Sequence, residues 1–166
     1  MGSKRAVNLL RRSISPIMTI AGGNTRYNVV DLTTTATSIL THQGGTVFML
    51  DGTNYSDHVT HSLPHPSEAG AGWWCKFVVK GAVLDAGSDT CLIKVRGAGV
   101  ATYVDDLMAV QIHETAGAAG LADINADFLT LAAGTVGGTT LNVFCDGNKY
   151  YIVGSNSADG NITVDG

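Results

Sequence analysis

GGTTLNVFCDGNKYYIVG, residues 137–154, is the stretch from which the fold is read. Leu141, Val143 and Cys145 fall in one phase, and Thr140, Asn142 and Phe144 fall in the other. A period of two in residues that favour extended backbone predicts a strand with one buried face. Asp146-Gly147 follows. This is the pair a tight primed hairpin turn requires, because glycine takes a positive φ without a Cβ clash. Lys149 to Val153 return as the second strand, which Gly154 is expected to end. A weaker copy of the layout lies upstream, where Gly44-Gly45-Thr46 leads into Val47 to Leu50, then Asp51-Gly52, then Tyr55. Asp51, Gly52, Asp146 and Gly147 are therefore the expected structural turns.

Working outward, YNVVDLT from Tyr27 is a candidate strand, and TTTATS (33–38) is a polar, β-tolerant lead into the first Gly-Gly-Thr strand. His58 to Leu63 is a short strand stopped by Pro64 and Pro66, which cannot donate to a ladder. WWCKFVVK (73–80) is the most apolar segment and is expected near the middle of a sheet. CLIKVR (91–96) follows, then Leu107 to His113, with Met108, Val110 and Ile112 in one phase. Phe128 to Leu131 and Asn161 to Val164 complete the set. Residues 114–126, rich in Ala and Gly, are expected to be loop. The pattern predicts an all-β domain over residues 27–166, a β-sandwich or jelly roll of about eight to ten short strands. An extended N-terminal arm, residues 1–26, precedes it.

Charged residues are only 14% of the chain, against about 25% in an average globular protein. Gly (21), Ala (18) and Thr (18) take their place. Because interface cores are depleted in charge, this composition predicts a homo-oligomer. The charge is also unevenly placed. Lys4, Arg5, Arg11 and Arg12 lie within the first twelve residues without an acid, while the remainder carries six basic and fourteen acidic residues, a balance of −8. The arm places Val7, Leu10 and Ile14 along one helical face among these cations. A helix this short is marginal alone, so the arm is expected to order only against a partner. Alternating aliphatic and basic residues suit an acidic protein surface. Nucleic acid would call for aromatics or a dense basic patch beside the charges.

No apolar run approaches the roughly eighteen residues of a membrane span, and no signal-peptide pattern follows the basic start. Cys75, Cys91 and Cys145 are odd in number, lack CxxC spacing and sit in apolar strand patterns, so they read as small buried hydrophobes. His58, His61 and His65 lie close in sequence. On a strand His58 and His61 point to opposite faces, and no ligand completes a tetrahedral set, so they read as surface or interface histidines. Asp105-Asp106 and His113-Glu114 lack a nucleophile motif, and the glycines form no nucleotide-binding loop. The reading is a protein with no enzymatic activity, catalytic residue, metal or cofactor. Trp73 and Trp74 are adjacent, so one faces inward and the other outward, where it could stack on a sugar or fill an interface.

Gly45, Phe48, Leu50-Asp51, Leu63-Pro64, Gly72, Phe77-Val78-Val79, Leu141, Cys145-Asp146-Gly147, Tyr151 and Gly154 form an ordered series. The series resembles a pattern of β-sandwich modules in tailed-bacteriophage virion proteins. The resemblance covers roughly residues 38–154 and carries over strand ends and turns rather than active-site residues. It is strongest toward capsid decoration (cement) proteins. It implies a virion location on the capsid surface, a homotrimer, and the major capsid protein as partner, with neither nucleic acid nor membrane involved. The arm lies outside this pattern, and from its chemistry alone Lys4, Arg5, Val7, Leu10, Arg11, Arg12 and Ile14 are the expected capsid-binding arm. The alternative implied is a tail-fibre or head-appendage receptor-binding module that takes a glycan.

Overall fold

The computed structural model describes residues 27–32, 36–51, 58–80, 90–114, 121–156 and 161–165. Within them twelve strands form two sheets. They are β1 (Asn28–Leu32), β2 (Thr37–Ser38), β3 (Thr46–Asp51), β4 (Val59–Leu63), β5 (Trp74–Lys80), β6 (Cys91–Val95), β7 (Met108–Glu114), β8 (Leu121–Ala126), β9 (Phe128–Leu131), β10 (Thr140–Cys145), β11 (Tyr150–Asn156) and β12 (Ile162–Asp165). One short helix, α1 (Pro66–Ala69), follows β4. The sheet orders are β1-β3-β5-β10-β11-β7-β8 and β12-β9-β6-β4-β2.

The chain is all-β in two sheets, as the alternation requires. Its path is a winding. The first six strands alternate between the sheets, and each from β3 to β6 pairs in parallel with the strand two before it. A jelly roll is built from antiparallel Greek keys, so this parallel start excludes that alternative. The later strands complete both sheets. β9 and β12 extend the five-stranded sheet antiparallel. The β10–β11 hairpin fills the seven-stranded one, antiparallel to β5 on one side and parallel to β7 on the other. The stretch that opened the reading is thus the piece joining the wound half to β7 and β8.

The core lies between the sheets. Phe48, Leu50, Phe77, Val79, Leu141, Val143, Ile152, Val110 and Ile112 face inward from one, and Val59, Leu63, Ile93, Val95, Leu129, Leu131 and Ile162 from the other. Phe48 and Phe77, register partners, stack with centroids 5.6 Å apart. Burying one such ring contributes roughly 1.5–3 kcal/mol. The segment Trp73 to Lys80 stands inside its sheet, as its apolarity predicts. The three cysteines are buried, and burial raises each thiol's pKa, that of Cys91 to about 12.

Both Gly-Gly-Thr starts serve the same strand. Gly45 N–H donates to Trp74 O at one end of β5, and Gly138 N–H donates to Val79 O at the other. Each second glycine has a positive φ, 78° and 90°. Thr46 and Thr139 behind them are buried and paired with asparagine side chains, Asn28 and Asn156.

Three expectations need correction. Gly154 does not end its strand. β11 runs on to Asn156, and Gly154 faces inward where a Cβ would sit 2.6 Å from Leu141 and 2.7 Å from Ile112. Residues 121–126 are strand β8 rather than loop, because pairing with β7 overrides a weak local pattern. The hairpin tip lies one residue later than Asp146-Gly147. Asp146 N–H donates to Lys149 O across Gly147-Asn148, with Gly147 at φ 97°. Asp146 Oδ1 accepts the amides of Asn148 and Lys149, both at 2.8 Å, and so does the work of a backbone turn acceptor. Asp51 ends β3, while Gly52 lies outside the described residues.

Candidate functional site

The pleat of the seven-stranded sheet sends every second side chain outward. On its outer face the register lines up aromatic residues. Tyr27 stands beside Gly45, and Gly45 beside Trp74. Trp74 opposes Phe144, which opposes Tyr151. Tyr27 meets Trp74 edge-on, centroids 5.9 Å apart. Gly45 has no side chain, so the space over it is left to the Tyr27 and Trp74 rings. Phe144 is 51% and Tyr151 45% exposed, and Trp74 is half-buried. Tyr27, Val47, Trp74, Lys76, Val78, Asn142 and Phe144 line a groove of about 480 Å³ along this row.

The next outward row is mixed. Val29, Val47, Lys76, Asn142, Val153 and Gln111 follow one another across the strands. Asn142 Nδ2 donates to Val153 O at 3.3 Å. The hairpin tip closes one end of the aromatic row. Tyr151 OH donates to Asp146 Oδ2 at 3.1 Å, which raises the phenol's pKa. The Asp146 carboxyl is held below its ordinary range, first by the Asn148 and Lys149 amides. Lys149 Nζ donates to Ile124 O and Asn125 Oδ1, tying the tip to β8.

The expected pairing of one tryptophan in and one out holds. Trp73 is buried, its Nε1–H donating to Thr41 O at 2.9 Å and its ring edge-on to Tyr150. Tyr150 OH donates to Pro64 O, Cys145 Sγ contacts Pro66 O at 3.7 Å, and Gly72 N–H donates to Cys145 O. Leu63-Pro64, Gly72 and Cys145-Asp146-Gly147, far apart in sequence, thus form one packed corner.

The histidines do not gather. His58 is exposed and bonds Thr90 Oγ1, and His65 caps α1 through Ser67. His61 is buried on the inner face of β4, not at the surface as expected, and burial pushes its pKa down to about 4. Asp106 and the His113-Glu114 pair stand at opposite ends of β7, about 20 Å apart at the rise of a strand. Among the described residues no three His, Cys, Asp or Glu side chains are grouped to hold a metal, and no helix is long and apolar enough to cross a membrane. Lys4, Arg5, Val7, Leu10, Arg11, Arg12 and Ile14 lie outside the described residues.

Sequence reasoning expected one outward tryptophan without choosing between Trp73 and Trp74, and it did not find the row. The signal was present, since Phe144 and Tyr151 occupy the phase opposite to the buried residues of their strands. No protein-family model, curated protein or solved structure matches the chain.

Proposed function

We propose that this protein is a non-enzymatic structural component of a virion, one that decorates a capsid by binding the major capsid protein, as a homotrimer on the capsid surface. The observation that carries a binding role is where the exposed apolar side chains lie. Tyr27, Phe144 and Tyr151 share one row on a sheet face, Leu40, Val100 and Tyr103 lie elsewhere, and the titratable groups are dispersed around the body. The residues that resemble virion modules support the reading as a scaffold, since they build the corner where the β10–β11 hairpin meets Pro64 and Pro66. The basic arm, Lys4 to Ile14, grips the shell. Charge steers it and aliphatic burial holds it, at about 25 cal/mol per Å² before ordering costs.

The test is co-sedimentation with undecorated shells. Deleting residues 1–16 is expected to abolish binding while the body stays folded and oligomeric in analytical ultracentrifugation. Full-strength binding by the truncated protein overturns the anchor role. The second reading, a receptor-binding fibre or appendage module, is favoured by one observation, the aromatic row itself.

A further inference from the structure

We propose that the aromatic row on the outer face of the seven-stranded sheet is a platform for a neutral polysaccharide chain. The inference goes beyond the anchoring role and does not depend on it.

The shape of the row comes first. From Tyr27 beside β1 to Tyr151 on β11 it crosses four strand spacings, about 19 Å, and is one outward residue wide, about 7 Å. Its footprint is about 130 Å², and the adjacent outward row with Val29, Val47 and Val153 about doubles it, still far below the roughly 800 Å² per partner of a stable protein interface. A second copy would need much more apolar surface than this ribbon. An extended peptide fits poorly as well. Strand addition uses unpaired main-chain groups at a sheet edge, and β5, β10 and β11 are paired on both sides.

The chemistry narrows the ligand further. A pyranose ring has an apolar face of C–H groups and a rim of hydroxyls. Aromatic rings accept the C–H face through their negative π-surface. The neighbouring outward row supplies side chains for the rim: Lys76, Asn142 and Gln111. Among the described residues, Lys76 is the only charged one lining the groove. The body from Tyr27 onward carries five basic and fourteen acidic residues, a balance of −9. A field of that sign repels polyanions. A neutral chain with alternating apolar faces and hydroxyl rims meets all these conditions.

The experiment is affinity gel electrophoresis of the full-length protein. The gels contain soluble neutral polysaccharides (hydroxyethyl cellulose, xylan, mannan, dextran) or the anionic polygalacturonate. Retardation by at least one neutral polymer and none by polygalacturonate is expected. Trp74→Ala should weaken that binding at least tenfold. Tyr151→Ala should do the same from an exposed position, so a folding defect in Trp74→Ala cannot hide the answer. Thr130→Ala, on the opposite sheet, should leave it unchanged. Shell co-sedimentation by the Tyr151 variant should stay at the wild-type level, which separates this site from the arm. The proposal is overturned if no neutral polymer retards the protein, if only polygalacturonate does, or if Tyr151→Ala binds as wild type. It is equally overturned if the protein ignores every polymer and Trp74→Ala dissociates an oligomer, which would assign the row to a second copy.

Discussion

The outer faces of the two sheets share one pleat and carry opposite chemistry. On the seven-stranded sheet the outward line Tyr27, Trp74, Phe144, Tyr151 is aromatic and open. On the five-stranded sheet the corresponding lines are Thr60, Leu92, Thr130, Thr163 and Ser38, Ser62, Lys94, Phe128, Asp165. The aromatic in the second line is covered, because Lys94 Nζ lies 4.6 Å from the Phe128 ring centroid and 5.2 Å from that of Tyr103. Behind both faces the inward residues are equally buried. The inner rows therefore set the fold, and the outer rows are left to differ. A cation laid over Phe128 and a row of four aromatics with no such partner among the described residues are the contrast on which the proposed ligand face rests.

The sharpest way to break this division is to load an inward position. Gly154 in β11 has Leu141 and Ile112 closed over it, and a Cβ would also come within 2.9 Å of Thr140 O. Backbone cannot yield as a side-chain tip can. Gly154→Val is expected to cost about 4 kcal/mol or more, at the upper end of overpacking effects. A urea midpoint equal to that of wild type would mean that the interior of this sheet is looser than its packing implies.

The second test separates the two inner faces. His61 is the one histidine buried in the core between the sheets, and its folded pKa is near 4 against the ordinary 6.5. Below 6.5 the unfolded chain takes up a proton that the folded chain refuses, so stability rises with pH across this window. The contribution is fully present above pH 6.5 and is lost as pH falls to about 4. The largest loss, at 1.36 kcal/mol per pH unit, is about 3 kcal/mol. Chemical denaturation at pH 7, 5.5 and 4 should show this fall, and His61→Leu should flatten it. Equal pH slopes for the two proteins would remove His61 as the cause.

Much of this was legible because strand phase is local. Leu141, Val143 and Cys145 are buried in the phase their spacing gives, and so are Met108, Val110 and Ile112. Phase does not reveal which strand lies alongside. Parallel pairing of β3 with β5 and of β4 with β6 joins strands separated in sequence by a strand of the other sheet, so the winding was invisible. β8 was missed for a related reason. ADINA carries little strand preference, and its extended form comes from β7 beside it. Gly154 reads as a terminator by type, and only the tertiary approach of Leu141 and Ile112 makes it an interior residue. The site was half legible. Phe144 stood in the outward phase from the start, but its alignment with Trp74 and Tyr151 depends on register across three strands.

The smallest expected effect on stability is the most informative about the outer face. Phe144 and Val153 are 51% and 42% exposed, on neighbouring strands in adjacent outward rows. Replacing Phe144 with Ser and Val153 with Thr makes this part of the sheet resemble the hydroxyl-bearing face opposite. Neither side chain holds the core together. Thr keeps the β-branched shape that suits a strand, and the Ser hydroxyl remains in water. Substitutions of this kind change stability by about 0.5 kcal/mol or less. If the row is kept apolar for a ligand, the double variant should unfold at the wild-type urea midpoint and yet lose retention on an immobilised neutral polysaccharide. If the row instead completes the fold, the midpoint should drop by well over 1 kcal/mol and retention should fall only in proportion to the unfolded fraction. The matched pair Thr60→Val and Thr130→Val on the other sheet supplies the converse. Gaining apolar surface there should leave both readouts where they were if binding depends on position in the aromatic row rather than on apolar area in general.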